Sequence, residues 1–83
     1  MEFSDFLYAE DVSFISGEAL YKPLLVQAKI RYLAKPAEAV IEPCGDRVQV
    51  NFSEPQRAVT PGQAVVFYDK DIVLGGGIVS DSF

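Results

Sequence analysis

Apolar residues recur at every second position along much of this chain, and turn signals interrupt the pattern at short intervals. In the clearest segment, from Asp46 to Phe52, Val48 and Val50 alternate with polar residues, which predicts a strand with one face in water. Further strands are predicted at 24–32, 64–68 and 72–79, with a short one at 40–41 and a less regular, bent one at 6–15. Five to seven short strands at close spacing predict an all-β fold, a small six- or seven-stranded antiparallel β-barrel.

Glycine and proline mark the connections between these strands. Pro43-Cys44-Gly45-Asp46 is typical of a hairpin connection, and Asp69-Lys70-Asp71 predicts a polar hairpin tip. In Thr60-Pro61-Gly62-Gln63, the proline and the glycine occupy the positions that a type II turn prefers for them. A single turn of helix is possible around 17–20.

Composition limits the chemistry open to the chain. Its 83 residues predict a single domain, 1–83, and it has no histidine, which removes the usual general base and the commonest metal ligand. The one cysteine, Cys44, excludes an internal disulfide and a cysteine-based zinc site. Glu42 and Asp46 flank it where a reactive thiolate would need a cation. We therefore expect no catalytic site, no metal and no cofactor within this chain.

The same composition indicates a location. No apolar run approaches the roughly 18–20 residues of a membrane span. The first residues are acidic, where a signal peptide would be basic. A lone cysteine fits a reducing compartment. We expect a cytoplasmic protein that has no membrane partner.

Three consecutive glycines, Gly75-Gly76-Gly77, have two interpretations. A phosphate-binding loop would need a following helix and a lysine at fixed spacing, but strand-like Ile78-Val79 follows and no lysine does. Glycines beside a strand are typical of a bulge or of a point where another backbone passes closely. The pattern favours this structural interpretation.

The charges are unevenly distributed along the chain. The net charge is −5, and residues 1–20 carry five acidic side chains and no basic one. Residues 21–36 carry no acid and four cations, Lys22, Lys29, Arg31 and Lys35. Two interpretations stay open: cations that keep an exposed strand soluble, or a patch that contacts phosphates, with Tyr32 available to stack. An acidic domain with few phosphate contacts would bind RNA weakly and with a steep salt dependence.

Gln63 can be weighed in the same way, although its residue type alone does not single it out. A glutamine after a Pro-Gly turn is expected to be exposed, and its amide either satisfies loop backbone groups or contacts a nucleotide edge or a ribose hydroxyl. The residue types alone leave both interpretations open.

Several segments together resemble a known family. The stretches 28–32 (AKIRY), 48–63 (VQVNFSEPQRAVTPGQ), 64–68 (AVVFY) and 73–78 (VLGGGI) are similar to the C-terminal β-barrel domain of bacterial tRNA-specific 2-thiouridylases. The Pro-Gly-Gln turn also occurs in the barrel domains of translation elongation factors, whereas its combination with the Phe-Tyr strand and the glycine triplet is more specific. The resemblance implies an elongation-factor-domain-like barrel that is a fragment of a multidomain enzyme.

The resemblance also implies roles. The whole enzyme would thiolate the wobble uridine of tRNA with ATP and with sulfur from relay proteins, through a nucleotide-binding domain whose motifs this chain lacks. The barrel would bind and position the tRNA. Arg31, Tyr32 and Gln63 match tRNA-contacting positions of the family, and Lys29 and Lys35 extend the basic patch. The family often continues its Arg-Tyr pair with an arginine and a glutamine, but Leu33-Ala34 follow here, so Lys35 could supply the missing cation.

Two alternatives remain at this point. The barrel could be a protein-interaction or structural module that docks on the other domains of its parent without touching RNA. It could also be an independent translation-factor-like barrel, in which case the other matched segments would be coincidental.

Overall fold

The chain forms six β-strands in a computed structural model that describes residues 3–30, 36–57 and 61–82. The strands are β1 (Phe3–Phe14), β2 (Leu24–Ile30), β3 (Ala37–Cys44), β4 (Arg47–Arg57), β5 (Ala64–Asp69) and β6 (Ile72–Ser82). The predicted strands at 40–41, 64–68 and 72–79 fall within β3, β5 and β6, and those at 6–15 and 46–52 match β1 and β4 to within one residue, so the all-β prediction is confirmed. The predicted strand 24–32 matches β2 up to Ile30, and its last two residues lie outside the described residues. No helix among the described residues has the length and apolar character needed to cross a membrane.

The six strands close into an antiparallel barrel in the order β1-β4-β3-β2-β5-β6, with β6 pairing back onto β1. The prediction of a six- or seven-stranded antiparallel barrel is therefore confirmed, with six strands. Consecutive strands form hairpins except at the long connection from β1 to β2 and at the step from β4 to β5. Closure pairs both sides of every strand, so the barrel has no free edge for another chain to join.

The period-two pattern places apolar side chains inside the barrel. Val48 and Val50 of β4 point inward, while Arg47, Gln49 and Asn51 are half-buried on the outer face. A barrel of this size is filled by its own side chains and leaves no internal channel. The interior consists of Leu7, Ala9, Val26, Ala28, Ile30, Ala39, Ile41, Val48, Val50, Val65, Phe67 and Val79.

The turns follow the predicted chemistry except at one place. Gly45 and Gly62 have φ of 65° and 98°, as the predicted hairpin and type II turn require. The helical turn considered around 17–20 is wrong. Gly17 adopts a φ of 81° and its N–H donates to the Phe14 carbonyl, which closes a tight turn after β1 instead.

The glycine triplet lies where β6 is pressed against both of its neighbours. A Cβ on Gly75 would lie 2.2 Å from the Ser13 carbonyl oxygen of β1, and one on Gly76 would lie 2.6 Å from the Val65 carbonyl oxygen of β5. A Cβ on Gly77 would meet β1 again, at 2.8 Å from the Glu10 carbonyl oxygen. These partners are backbone atoms, which cannot rotate away. The interpretation as a close backbone approach is confirmed.

The strand directions divide the barrel into two ends. One, the hairpin end, consists of residues 15–25, 45–46 and 70–73, which hold the β1–β2 connection and both two-residue hairpin loops. The other end, the loop end, is where β2 and β4 finish and where β3 and β5 begin. Its described residues include Ile30, Pro36 and 61–64. The described parts of the connections between strands therefore lie at one end or the other.

Replacing Gly76 by alanine tests the close approach. We expect Gly76→Ala to lower the free energy of unfolding by about 1–3 kcal/mol, because the added methyl group must displace the β5 backbone. Urea unfolding followed by circular dichroism measures this. Gly45→Asn is the control, since asparagine tolerates a positive φ and no atom lies within 4 Å of that Cβ position. The control should stay within about 0.5 kcal/mol of the parent chain. Equal stability of the parent and Gly76→Ala would contradict the assigned packing.

Candidate nucleic-acid interface

The structure describes two of the five candidate residues, Lys29 and Gln63. Arg31, Tyr32 and Lys35 lie outside the described residues, so their predicted position beside Gln63 stays a prediction. The interface is therefore built here from the surroundings of the two described residues.

Lys29 lies on the outer face of β2. Its neighbours Ala28 and Ile30 point into the core, so strand alternation directs Lys29 outward, where it is half-buried. It pairs with Val66 of β5. Together with Ala64, Val66 and Tyr68 it lines an open depression of about 320 Å³ on the β2–β5 face. The depression has an apolar floor, an ammonium group and a phenol ring.

The glycine triplet lies on the other side of β5 from this depression. Val65, Val66 and Phe67 pair with Gly77, Gly76 and Gly75 of β6, so β6 contributes no side chain beside them. The outer face of β5 next to Val66 is consequently bare on its β6 side. A sequence feature that closes the barrel thus also shapes its surface.

Sequence reasoning missed Tyr68 as a site residue. The alternation along 64–68 places its side chain on the same face as Val66, but only the pairing of β2 with β5 brings that face beside Lys29. A half-buried tyrosine ring at the border of an apolar floor can stack on a nucleobase, and a lysine close by can contact a phosphate. The alternation along 64–68 shows in the sequence that Tyr68 faces outward, but the sequence does not show that β2 lies beside β5.

Gln63 is held at the loop end by its backbone. The Gly62 N–H donates to the Val79 carbonyl and the Val79 N–H donates to the Gln63 carbonyl, both at 2.8 Å. These bonds fix the Pro-Gly-Gln turn to β6. The Gln63 side chain is half-buried rather than fully exposed as expected. Ile30, the last described residue of β2, pairs with Val65, two residues beyond Gln63.

The side of the barrel formed by β3 and β4 has the opposite character. The Asn51 amide donates to the Val40 carbonyl and to the Glu42 carboxylate, both at 3.4 Å, and Glu38 accepts from the Ser53 hydroxyl at 3.5 Å. Carboxylates on this side disfavour phosphate. In contrast, the described outward residues of β2 and β5 between positions 27 and 29 and between 64 and 68 include a lysine and no carboxylate.

Arg47 is another cation of the outer surface, and it is held by contacts with Tyr8 and Ser80. Its guanidinium carbon lies 4.6 Å from the centroid of the Tyr8 ring, and its Nη1 donates to the Ser80 hydroxyl at 3.5 Å. The Ser80 hydroxyl donates to the Tyr8 carbonyl at 3.2 Å. Because β4 lies three strands from β5 around the six-stranded barrel, Arg47 is on the side opposite the depression.

The described residues offer no group of three or more histidine, cysteine, aspartate or glutamate side chains that could hold a metal ion. Cys44 is a half-buried free thiol at the end of β3. The β2–β5 face has the groups needed to bind a ligand that is both anionic and aromatic, since Lys29 can contact an anion and Tyr68 can stack on a ring.

Comparison with known proteins supplies the family. Residues 4–79 match the model of the aminomethyltransferase beta-barrel domain. The chain is 60% identical over 78 residues to tRNA-specific 2-thiouridylase MnmA of Acetivibrio thermocellus, which covers 93% of this chain and 22% of that protein. It is 57% identical over 77 residues to the same enzyme of Clostridioides difficile, covering 92% of this chain and 21% of that protein.

The resemblance drawn from the sequence segments is thereby confirmed. The chain spans about a fifth of the length of the curated relatives that it matches.

Proposed function

Because the chain belongs to the aminomethyltransferase beta-barrel domain family, we propose that it is the tRNA-positioning barrel of a tRNA 2-thiouridylase that thiolates the wobble uridine. The names of its relatives support the parent activity. The observation that carries the RNA contact is the depression on the β2–β5 face, where Lys29 and Tyr68 border an apolar floor.

Local rather than overall charge makes such a contact possible. The chain has a net charge of −5, so its overall field repels RNA. The carboxylates Glu38 and Glu42 lie with β3 and β4, whereas Lys29 lies on the β2–β5 face. RNA would therefore approach in one orientation, with a small number of phosphate contacts. Weak, salt-sensitive binding suits an auxiliary domain that assists a larger RNA-binding enzyme.

The residues at the loop end extend the same contact. Gln63 is anchored there by its turn, and β2 runs towards that end through Lys29 and Ile30. We propose that Arg31, Tyr32 and Lys35, which follow β2 in the sequence, contact the tRNA together with Lys29 and Gln63. A guanidinium group and an aromatic ring are suited to phosphates and unpaired bases.

The chemistry itself would lie elsewhere in the parent enzyme. We propose that ATP binding, uridine activation and the transfer of sulfur from relay proteins belong to the remaining four-fifths of the polypeptide, acting in the cytoplasm. The barrel contributes binding energy from a remote part of the tRNA, which orients the reacting base. The free thiol of Cys44 fits a reducing compartment.

Removal of the Lys29 charge should weaken tRNA binding. We expect Lys29→Gln to raise the Kd of the 83-residue chain for an unmodified tRNA transcript about threefold to tenfold. The slope of log Kd against log salt should fall by about 0.9, as for one lost phosphate contact. Fluorescence anisotropy across a salt series measures both. Lys70→Gln is the matched control, since Lys70 is an exposed lysine at the hairpin end. Equal effects of the two substitutions would mean that Lys29 makes no specific contact.

Tyr68 should contribute through its ring. We expect Tyr68→Leu to weaken tRNA binding by about 1–3 kcal/mol, the usual loss for a stacked base, with little change in salt slope. Tyr68→Phe should retain the affinity because it keeps the ring. Tyr21→Leu, at an exposed tyrosine of the hairpin end, should have no effect. Loss of affinity in Tyr68→Phe would point to the hydroxyl and contradict stacking.

Arg31 should behave as a phosphate contact. We expect Arg31→Ala to weaken tRNA binding by about 1–2 kcal/mol and to flatten the salt dependence. The same anisotropy titration measures this at low and high salt. Affinities equal to the parent chain at low salt would remove Arg31 from the interface. If the 83-residue chain binds no tRNA even at low salt, the alternative of a docking barrel without RNA contact takes its place.

A further inference from the structure

The hairpin end of the barrel carries a concentration of exposed apolar side chains. All the large hydrophobic residues of the described chain that are exposed lie there, contributed by the β1–β2 connection, the first residues of β2 and the start of β6. They are Ile15, Tyr21, Leu24, Leu25, Ile72 and Val73, exposed between 39% and 75%. Clustered apolar side chains of this size on a small domain mark an interaction surface.

The same end has a groove and an acidic border. A groove of about 210 Å³ lies between Phe14, Leu20 and Leu24. The exposed charged side chains of the hairpin end, taken with Asp69 at the adjoining end of β5, are four carboxylates and two lysines, which leaves a local charge of −2. They are Glu18, Asp46, Asp69, Asp71, Lys22 and Lys70. An apolar centre with an acidic border fits a protein surface that is apolar at its centre and basic around it, and it repels RNA.

We propose that the hairpin end docks on the remaining part of a thiouridylase polypeptide, at an apolar surface bordered by lysine and arginine. The length of the relatives supports this occupant: the segments that match this chain are only 20–22% of those proteins. In each of them the barrel is covalently joined to the other four-fifths. The proposal rests on family membership and not on the tRNA contact.

Covalent connection explains why a small apolar patch is sufficient. A tethered partner is present at an effective concentration on the order of millimolar, so an interface too small to hold separate molecules together can still close. Interfaces between domains of one chain are accordingly modest and partly polar. Docking at the hairpin end leaves the β2–β5 face and the loop end exposed to RNA. The barrel would then bridge the enzyme body and the tRNA.

Hydrogen exchange in a full-length protein tests the docking. The 83-residue chain replaces the matched segment of the Acetivibrio thermocellus enzyme, and its amide exchange is compared with that of the chain alone. We expect the amides at 19–22, which lie outside the strands, to exchange at least about tenfold more slowly in the hybrid. Leu25→Ser with Ile72→Ser should restore fast exchange. These side chains are 60% and 65% exposed in the isolated chain, so its own stability should be unchanged.

Controls separate this proposal from the proposed function. Lys29→Gln should leave the protection at 19–22 intact, and Leu25→Ser with Ile72→Ser should leave tRNA affinity intact. Equal exchange in the hybrid and in the isolated chain would overturn the docking. Protection of 19–22 by tRNA alone, or by self-association of the isolated chain at rising concentration, would also overturn it. If the hybrid does not fold, titration of the chain with the Acetivibrio enzyme lacking its matched segment replaces the comparison, and absence of binding at millimolar concentration refutes the proposal.

Discussion

The close approach of β6 to β1 and β5 is the constraint on which this small barrel depends. Six strands form a closed sheet only if the last strand pairs with both the first and the fifth. At Gly75 and Gly76 the backbones are too near for any Cβ. Closure at this point brings Phe14 of β1 and Phe67 of β5 into stacked contact, with ring centroids 6.3 Å apart. A chain this short has a single small core, so loss of closure would expose much of it to water.

The close packing of β6 that closes the barrel also affects the shape of its outer surface. A strand that must lack side chains to approach its neighbours leaves the adjacent outer surface bare on the β6 side of Val66, and the β2 side of Val66 borders the open depression. The interior is filled by the barrel's own side chains. The surfaces available for contacts are the outer faces and the two ends of the barrel. The distribution of carboxylates, lysine and apolar residues over those surfaces determines which ligands each surface can attract.

The sequence predicted the strands and most turns because those features are local. The alternation around Val48 and Val50 indicates which face of β4 is buried. Gly62 marks a turn because its φ of 98° is a conformation that glycine adopts without strain. The helical turn around Gly17 was wrong because a short apolar-polar stretch carries no information about the hydrogen bond to Phe14 that ends β1. The glycine triplet could be interpreted correctly because a phosphate-binding loop would need a following helix and a lysine, and neither follows it in the sequence.

The candidate site was only partly predictable, for a topological reason. Lys29 was found from its charge, but Tyr68 became a neighbour only through the pairing of β2 with β5, which are separated by two intervening strands in the sequence. Period-two patterns show which side of a strand faces outward but never which strand lies beside it. The charge pattern already pointed to Arg31 and Tyr32, whereas only the resemblance to thiouridylases singled out Gln63.

The antiparallel order gives this barrel two ends of different chemistry, and that separation has consequences for how it can act. Each strand carries the chain from one end to the other, so the connections alternate between the hairpin end and the loop end. Exposed apolar residues collect at the first, and the anchored Gln63 turn lies at the second. Ligands at the two ends share no described residue. Their binding energies should therefore be nearly additive, as expected for distant sites on a rigid scaffold. If both proposed contacts form, a barrel built this way would act as a spacer of fixed length between the enzyme body and the tRNA, and the orientation of the RNA would follow from the packing of β6 against β1 and β5.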